Sequence, residues 1–387
     1  MRGQTKRGAE TVLRVMVIFG GKSGEHEISL ASARAVIEAL EASGGYEVLP
    51  VGVDREGRWI LSGDPMHELS RELGPGSNAE HQDDGESVER SSTVYADSGA
   101  SEVSEVSALS TRKPSRESLP SDLGEADVVF PVLHGPRGED GTMQGLLELA
   151  GVPYVGSGVL ASSVGMDKIT MKKVFDHHGL SQVGWIGLTS HEWDTGQRDI
   201  SRRISARIGY PCFVKPSNMG SSVGISKVES AEQLPDAIDA AARFDRRIIV
   251  EAGVDAREIE VSVLGNEEPE ASLPGEVIVS EGFYDYENKY TEGASQIIAP
   301  ADLPRSVTEE VQAVARTAYR AVDAAGMARV DFFLERGTNR LLLNEINTIP
   351  GFTPTSVYAR LWNASGLPYE DLLDRLISLA LERHGGR

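Results

Sequence analysis

The strongest constraint in this 387-residue chain is the alternation in ARVDFFLERGTNRLLLNEINTIPGF, residues 328–352. In a strand, successive side chains leave on opposite faces, so Arg329 projects with Asp331 and Glu345 projects with Asn347. A hairpin turning through Arg336 to Arg340 then brings all four to one face. Two carboxylates and an amide carbonyl are hard oxygen donors of the kind Mg²⁺ takes, and a neighbouring arginine matches phosphate. Taken alone, the stretch also fits a half-exposed hairpin with ordinary surface charges. The rest of the chain has to decide between these readings.

The length suffices for two or three domains with substantial cores. A formal net charge of -21 argues against general nucleic-acid binding and against an anionic membrane surface, both of which require basic patches. No segment approaches eighteen consecutive apolar residues. The basic lead MRGQTKRGAE runs directly into a strand rather than to a small-residue cleavage site, so a cytoplasmic location is expected. The single cysteine, Cys212, excludes an intrachain disulfide and a cysteine-cluster metal site, and its apolar setting in PCFVKP marks it as a core residue.

Strands and helices alternate at the start of the chain: VLRVMVIFGG, a helix over Glu27 to Ala42, YEVLPVGVD, ADVVFPVLHG, and a short helix GTMQGLLELAG. This pattern predicts a mainly parallel α/β domain over residues 1–156. It is interrupted at 64–125 by a Ser-rich stretch with 14 acidic against 5 basic residues, read as a flexible insertion whose acidity serves solvation. Residues 157–254 change character, with a helix at Lys168 to His178 followed by the short strands VGWIGLT, PCFVKPS, VGISKV and RRIIVEAG, which predicts a small α+β module. Residues 255–387 open with strands, pass through a polar loop and a helix over Thr308 to Ala325, reach the hairpin, and close with two amphipathic helices.

Two phosphate motifs can be tested at the first strand end and both fail. GGKSGEHE follows a strand and opens a helix, a natural anion site, but Met16 stands where a P-loop needs its first glycine. The dinucleotide spacing G-x-G-x-x-G is absent as well. Glu27 at the mouth of that helix complements the helix dipole, or holds a substrate ammonium. His134 in HGPRGEDGT ends another strand, at the sheet edge where open α/β folds bind ligands.

FVKPSNMGSSVGISKV carries more information. Lys215 ends a strand, and Gly220, Ser221, Ser222 and Gly224 form a small-residue loop returning to the next one. Such a loop brings backbone N–H groups against phosphate while the lysine adds a point charge; the alternative is a flexible hairpin with a surface lysine. Glu251 and Glu258 flank a strand connection, as acceptors for an adenosine or as plain surface glutamates. FYDYENKYTEGASQ, residues 283–296, is too polar for core and reads as a lid.

Together these motifs resemble the ATP-grasp enzymes, and closely the D-alanine:D-alanine ligases. GGKSGEHEISL, VFPVLHGPRGEDGTMQGLLE, MDK at 166–168, VKPSNMGSSVG, FYDYENKY, ARVDF, NEINTIPGFTPTS and RLWNASGLPYEDLLDRLI occur in family order across nearly the whole chain. The resemblance implies an ATP-grasp fold behind an N-terminal preATP-grasp domain, with residues 157–254 as the central lid-like domain. It implies ligation of two D-alanines through an acyl phosphate, for peptidoglycan precursor synthesis. The alternatives are D-lactate or D-serine as second substrate, or another carboxylate–amine ligation.

By the same resemblance, Asp331, Glu345 and Asn347 bind two Mg²⁺ or Mn²⁺ ions, and a monovalent cation is a further candidate. Arg329 and the backbone N–H of Gly351 stabilise the transferring group and the tetrahedral intermediate. Lys168, Lys215, Ser222 and Lys289 take the ATP phosphates, and Glu251 and Glu258 take adenine and ribose. Glu27 binds the first ammonium beside His134, while Ser356 and Val357 take the second carboxylate. Glu27, Ser221 and Tyr290 are expected to form a hydrogen-bonded chain closing the lid. Relatives making D-alanyl-D-lactate carry histidine at the tyrosine's place, so Tyr290 favours D-alanine. A homodimer is implied, with no nucleic-acid or membrane partner.

Overall fold

The computed structural model describes residues 12–72, 125–279 and 295–385. The basic lead, most of the acidic insertion and the FYDYENKYTEG segment lie outside them.

The first sheet is built on β1 (Leu13–Gly20), whose run from Val15 to Phe19 is buried throughout. A strand apolar on both faces belongs in the middle of a parallel sheet. It pairs in parallel with β2 (Tyr46–Val53) and β4 (Val128–Val132), and β3 (Trp59–Ile60) adds an antiparallel edge. Helix α1 (His26–Ser43) makes the return from β1 and stops at Gly44, whose φ of 68° ends the helix in the left-handed region. Helix α2 (Pro65–Glu72) shows that the first residues of the 64–125 stretch are helical rather than loose, because Met66 and Leu69 pack on the sheet's core. Helix α3 (Thr142–Ala150) follows the loop after β4.

Helices α4 (Val159–Met166) and α5 (Lys168–His177) lead into a four-stranded antiparallel sheet of order β5-β8-β6-β7. Its strands are β5 (Trp185–Thr189), β6 (Cys212–Pro216), β7 (Ser226–Val228) and β8 (Arg247–Ala252). Two helices that the sequence reading did not name cover it: α6 (Ser190–Arg207) and α7 (Leu234–Ala242). The signals were present, since Thr189 and Glu192 form a capping box and Trp193, Ile200 and Ile204 repeat at helical spacing. These residues pack with Cys212, Val214, Ile238, Ile248 and Val250.

The third sheet has the order β12-β11-β9-β13-β14, with β10 paired to β9. It comprises β9 (Ala256–Gly265), β10 (Glu270–Ala271), β11 (Gly275–Val279), β12 (Ser295–Ile298), β13 (Gly326–Glu335) and β14 (Leu341–Asn347). Helix α8 (Arg305–Ala321) precedes β13 and stops before the predicted Ala325, where Asp323 takes a φ of 60°. The chain closes with α9 (Val357–Ala364) and α10 (Tyr369–Gly385).

Two packing relations cross the expected segment boundaries. Ala161 of α4 and Met171 and Phe175 of α5 bury against Ile259, Val330 and Ile346 of the third sheet, so these helices share that sheet's core. At the other end, Tyr358, Trp362, Leu372 and Leu376 from α9 and α10 join Leu30 of α1 and Phe130 and Val132 of β4. Phe352 is the pivot of that joint. Its ring lies 5.5 Å from Phe130, 5.7 Å from Tyr358 and 5.6 Å from Tyr369, and its N–H donates to Ser32 Oγ at 3.1 Å. Replacing Phe352 by alanine is expected to cost about 3–5 kcal/mol of unfolding free energy in urea titration. A loss below about 1 kcal/mol would mean that the first sheet does not depend on the C-terminal helices.

Candidate functional site

The three sheets converge on one cavity of about 1160 Å³. The hairpin forms its floor. Asp331 stands opposite Glu345 and Arg329 opposite Asn347 in the antiparallel register of β13 and β14, and all four line the cavity. Register then shifts by one residue between Asp331 and Phe332, a bulge that leaves Asn344 without a partner across the ladder.

Arg329 is almost buried, with 9% exposure. Its Nε and Nη2 donate to the two oxygens of Asp331, each at 2.7 Å, and Nε lies 2.9 Å from Glu260 Oε2. Burial works against a charged guanidinium, but the two carboxylates outweigh it and push the pKa above its ordinary value. Asn347 Nδ2 donates to Asp331 Oδ2 at 3.1 Å. Glu260 was not singled out in the sequence, although it faces the same way as Glu258 in EIEVSV, and β9 registers it directly against Asp331.

The cations stand opposite. Lys168 Nζ donates to Met219 O at 3.0 Å and sits 3.5 Å from Glu345 Oε2, tying the small-residue loop to the hairpin. Lys215 Nζ lies 2.6 Å from Glu251 Oε2, and the buried Lys172 lies 2.7 Å from Oε1 of the same carboxylate. Burial would raise the Glu251 pKa, yet the two ammonium groups hold it down at about 2. Burial also opposes the charge on Lys215, and Glu251 and Glu345 more than offset it. Ser222 and Glu258 line the same cavity.

The sequence reading put Glu27 at the cavity, but its side chain is 65% exposed and its nearest partner is Arg55, at 3.8 Å. The carboxylate that enters is Glu25, which accepts a hydrogen bond from Ser221 Oγ. Residues two apart on a helix point to opposite sides, so a glutamate inside the first turn of α1 cannot share the direction of one preceding it. His26, between them, is buried, with Nδ1 2.8 Å from Gly21 O. The useful sign was position: Glu25 directly follows Gly24 and precedes the helix. Gly220 keeps the approach open, since a Cβ there would sit 3.1 Å from Glu25 Oε2.

His134 lines the cavity, with Nδ1 3.0 Å from Ile349 O. Burial lowers its pKa, with Glu25 pulling the other way, so the ring is neutral. Ser356 is the residue before α9, its Oγ turned back to accept from Thr353 N–H at 3.0 Å rather than from the helix, and Gly351 and Val357 complete that rim. A helix N-terminus here is oriented to receive an anion. Lys289 and Tyr290 lie outside the described residues.

The donor set suits Mg²⁺ held jointly with phosphate. Among the described residues no group of three or more His, Cys, Asp or Glu could hold a metal by itself. Asp331, Glu345 and Asn347 offer two carboxylates and one amide, and Mg²⁺ usually takes one or two carboxylates and completes its shell with phosphate and water.

The chain has the ATP-grasp fold. Residues 14–157 match the family model described as D-ala D-ala ligase N-terminus, and 174–378 match D-ala D-ala ligase C-terminus. The chain belongs to the D-alanine–D-alanine ligase family. It is 45% identical over 372 residues to the D-alanine–D-alanine ligase of Geobacillus thermodenitrificans, covering 96% of each chain. Among solved structures it resembles the D-alanine-D-alanine ligase from Coxiella burnetii (TM-score 0.74, 36% identity, 97% and 95% covered). It equally resembles the VanG D-Ala:D-Ser ligase from Enterococcus faecalis (TM-score 0.75, 31% identity, 96% and 100% covered). No described helix is long and apolar enough to cross a membrane.

Glu139, also missed in the sequence, gives the site a pH signature. It is buried on the cavity wall and accepts from Gly135 N–H at 2.8 Å. Burial and then Glu25 push its pKa from 4.5 to about 8. The folded state thus binds this proton more tightly than the unfolded chain does. The resulting stability is full below about pH 4.5 and is lost as pH rises toward about 8. Glu139→Gln should therefore gain stability relative to the parent as pH climbs from about 5 to about 8. Guanidinium titrations at several pH values test this, and a difference independent of pH would refute it.

Proposed function

We propose that this chain joins two D-alanine molecules to D-alanyl-D-alanine at the expense of ATP, in supply of peptidoglycan precursors. The observation that carries the reading is one cavity lined by the Arg329/Asp331/Glu345/Asn347 face, the Lys168 and Lys215 cations and the Glu25–Ser221 pair, in a chain of this family.

A carboxylate is a poor electrophile, so it is first phosphorylated. A carboxylate oxygen of the first D-alanine forms a bond to the γ-phosphorus as the bond to the β-phosphate oxygen breaks, and ADP leaves. The second D-alanine passes its ammonium proton to water, its amine attacks the acyl carbon, and the carbon–oxygen bond to phosphate breaks, inorganic phosphate leaving with the proton that the new amide nitrogen sheds. Positioning and charge stabilisation are the protein's main tasks.

Glu25 takes the ammonium of the first D-alanine, in place of Glu27, beside the neutral His134. Lys168, Lys215 and Ser222 hold phosphates, joined by Lys289, while Glu251 and Glu258 receive adenine and ribose. Arg329 and the Gly351 N–H stabilise the transferring phosphoryl group and the tetrahedral intermediate. Ser356 and the N-terminus of α9 at Val357 receive the second carboxylate. Asp331, Glu345 and Asn347 would hold two Mg²⁺ or Mn²⁺ ions, which would supply charge neutralisation of the phosphates; a monovalent cation is an additional candidate. ATP consumption fits a cytoplasmic location.

Tyr290 favours D-alanine as second substrate, whereas the likeness to a D-Ala:D-Ser ligase keeps D-serine as a second reading. Phosphate release with ATP, Mg²⁺ and D-alanine, alone or with D-serine or D-lactate, separates them; preference for either alternative overturns the D-alanine assignment. In the same assay Arg329→Ala should lower kcat about 10²–10³-fold while calorimetry still detects ATP binding. Glu25→Gln should lower kcat/KM about 10–100-fold and Glu27→Gln should change it less than about twofold. The reverse order would restore Glu27 to the site.

We also propose a homodimer. Its support is the exposure of Leu149 (92%) and Leu160 (60%) on the neighbouring helices α3 and α4. Light scattering should show a dimer that Leu149→Glu with Leu160→Glu dissociates, and a monomeric parent chain would exclude it.

A further inference from the structure

The buried ion cluster around Glu251 contains one group that the proposed reaction does not use. Lys172 rises from α5, its side chain is 1% exposed, and it is absent from the cavity lining. An ammonium sealed in this way is costly unless fully paired. Its Nζ lies 2.7 Å from Glu251 Oε1 and donates to Asn344 O at 3.3 Å. Asn344 is the bulged residue of β14, whose carbonyl the lysine thereby takes up. The bulge, α5 and the end of β8 therefore meet at one ammonium group.

The two lysines on Glu251 are not equivalent. Lys215 is 13% exposed and lines the cavity, so it can turn between Glu251 Oε2 and a phosphate oxygen. Lys172 has no such route. When phosphate draws Lys215 away, Oε2 gains room for a ligand donor while Lys172 keeps Oε1 fixed and the carboxylate charged. The 6-amino group of adenine is a donor of the right kind, as it can hydrogen-bond to a carboxylate, whereas a purine with a 6-oxo group presents an acceptor that a carboxylate repels.

We propose that Lys172 is a positioning residue that holds the Glu251 carboxylate as the acceptor for the 6-amino group of the nucleotide and thereby sets the preference of this site for adenine. This rests on the reading of Glu251 as the adenine-facing residue. It assigns Lys172 no contact with nucleotide, substrate or metal.

The test compares binding of ATP and of purine riboside triphosphate, which is ATP lacking the 6-amino group, by calorimetry on the full chain. The parent chain should favour ATP by about tenfold or more, the strength of one hydrogen bond to a charged acceptor. Glu251→Gln and Lys172→Met should each reduce that ratio to about twofold or less, with affinity for the amino-free analogue changed little. If Glu251→Gln keeps the full ratio, Glu251 does not read adenine and both ideas fall. If Glu251→Gln loses the ratio and Lys172→Met keeps it, the adenine reading stands and the role of Lys172 is refuted.

Lys172→Met leaves a buried carboxylate with one cation fewer, so its folding is checked by thermal denaturation. The double variant Lys172→Met/Glu251→Gln removes both charges and gives the decisive comparison even if the single variant does not fold. It should match Glu251→Gln for both nucleotides within about twofold. A further loss of affinity for the amino-free analogue in the double variant would show that Lys172 acts by another route and would overturn the proposal.

Discussion

Everything in this site depends on a guanidinium buried between carboxylates. Arg329 sits in the middle strand of three, with Glu260 contributed by β9 on one side and Asp331 by its own strand, opposite Glu345 of β14. Bare charges at this depth would each cost several kcal/mol, so the cluster persists only because hydrogen bonds and opposite charges answer one another. The sheet supplies that answer through register: Asp331 aligns with Glu260 across one ladder and with Glu345 across the other. A slip of one residue in either pairing would turn the acids to the opposite face.

The same balance extends across the cavity. Lys168 meets Glu345, and Lys172 and Lys215 meet Glu251, so carboxylates and cations are already matched before any other charge is considered. Such a site gains a polyanion by exchange of partners. A phosphate oxygen competes with a carboxylate for the same ammonium, and a divalent cation competes with that ammonium for the carboxylate. Exchange avoids desolvating each group anew, which is the largest cost of burying ions. It also explains why the two lysines on Glu251 differ in exposure: only a cation that reaches the cavity can take part.

Much of this was legible in the residues, for reasons that can be named. The alternation within each strand was readable because it is local, but the pairing of Asp331 with Glu345 was not: the register set at the turn, Leu334 against Leu341, would carry Asp331 to Asn344, and only the bulge at Asn344 brings Glu345 opposite it. The loop at Ser221 and Ser222 was readable from small residues between strands, and both serines take positive φ. What escaped notice depended on direction or on distant partners. Glu25 and Glu27 differ only in where α1 begins, a boundary that periodicity locates to within a turn at best. Glu139, Glu260 and Lys172 look like ordinary surface charges in sequence and acquire meaning only through burial beside other charged groups. Helices α6 and α7 are hard to see in sequence because the apolar strands between them carry the louder signal.

The C-terminal helices show the same limit at the level of domains. Amphipathic periodicity announces that α9 and α10 have an apolar face but not which sheet receives it. The two helices lie between sheets: α9 packs on β9 of the third, where Tyr358 Oη donates to Val263 O at 2.9 Å, while α10 meets α1 and β4 of the first and β13 of the third. The segment Thr348–Val357 therefore runs between two cores, and it carries Gly351, Ser356 and the N-terminus of α9 along the cavity rim. Ile349 and Phe352, buried within the segment itself, pin its course from inside, so its exposed groups are held in place. The rim is thus positioned by hydrophobic burial of its own residues, while the chemistry it presents remains wholly backbone and hydroxyl.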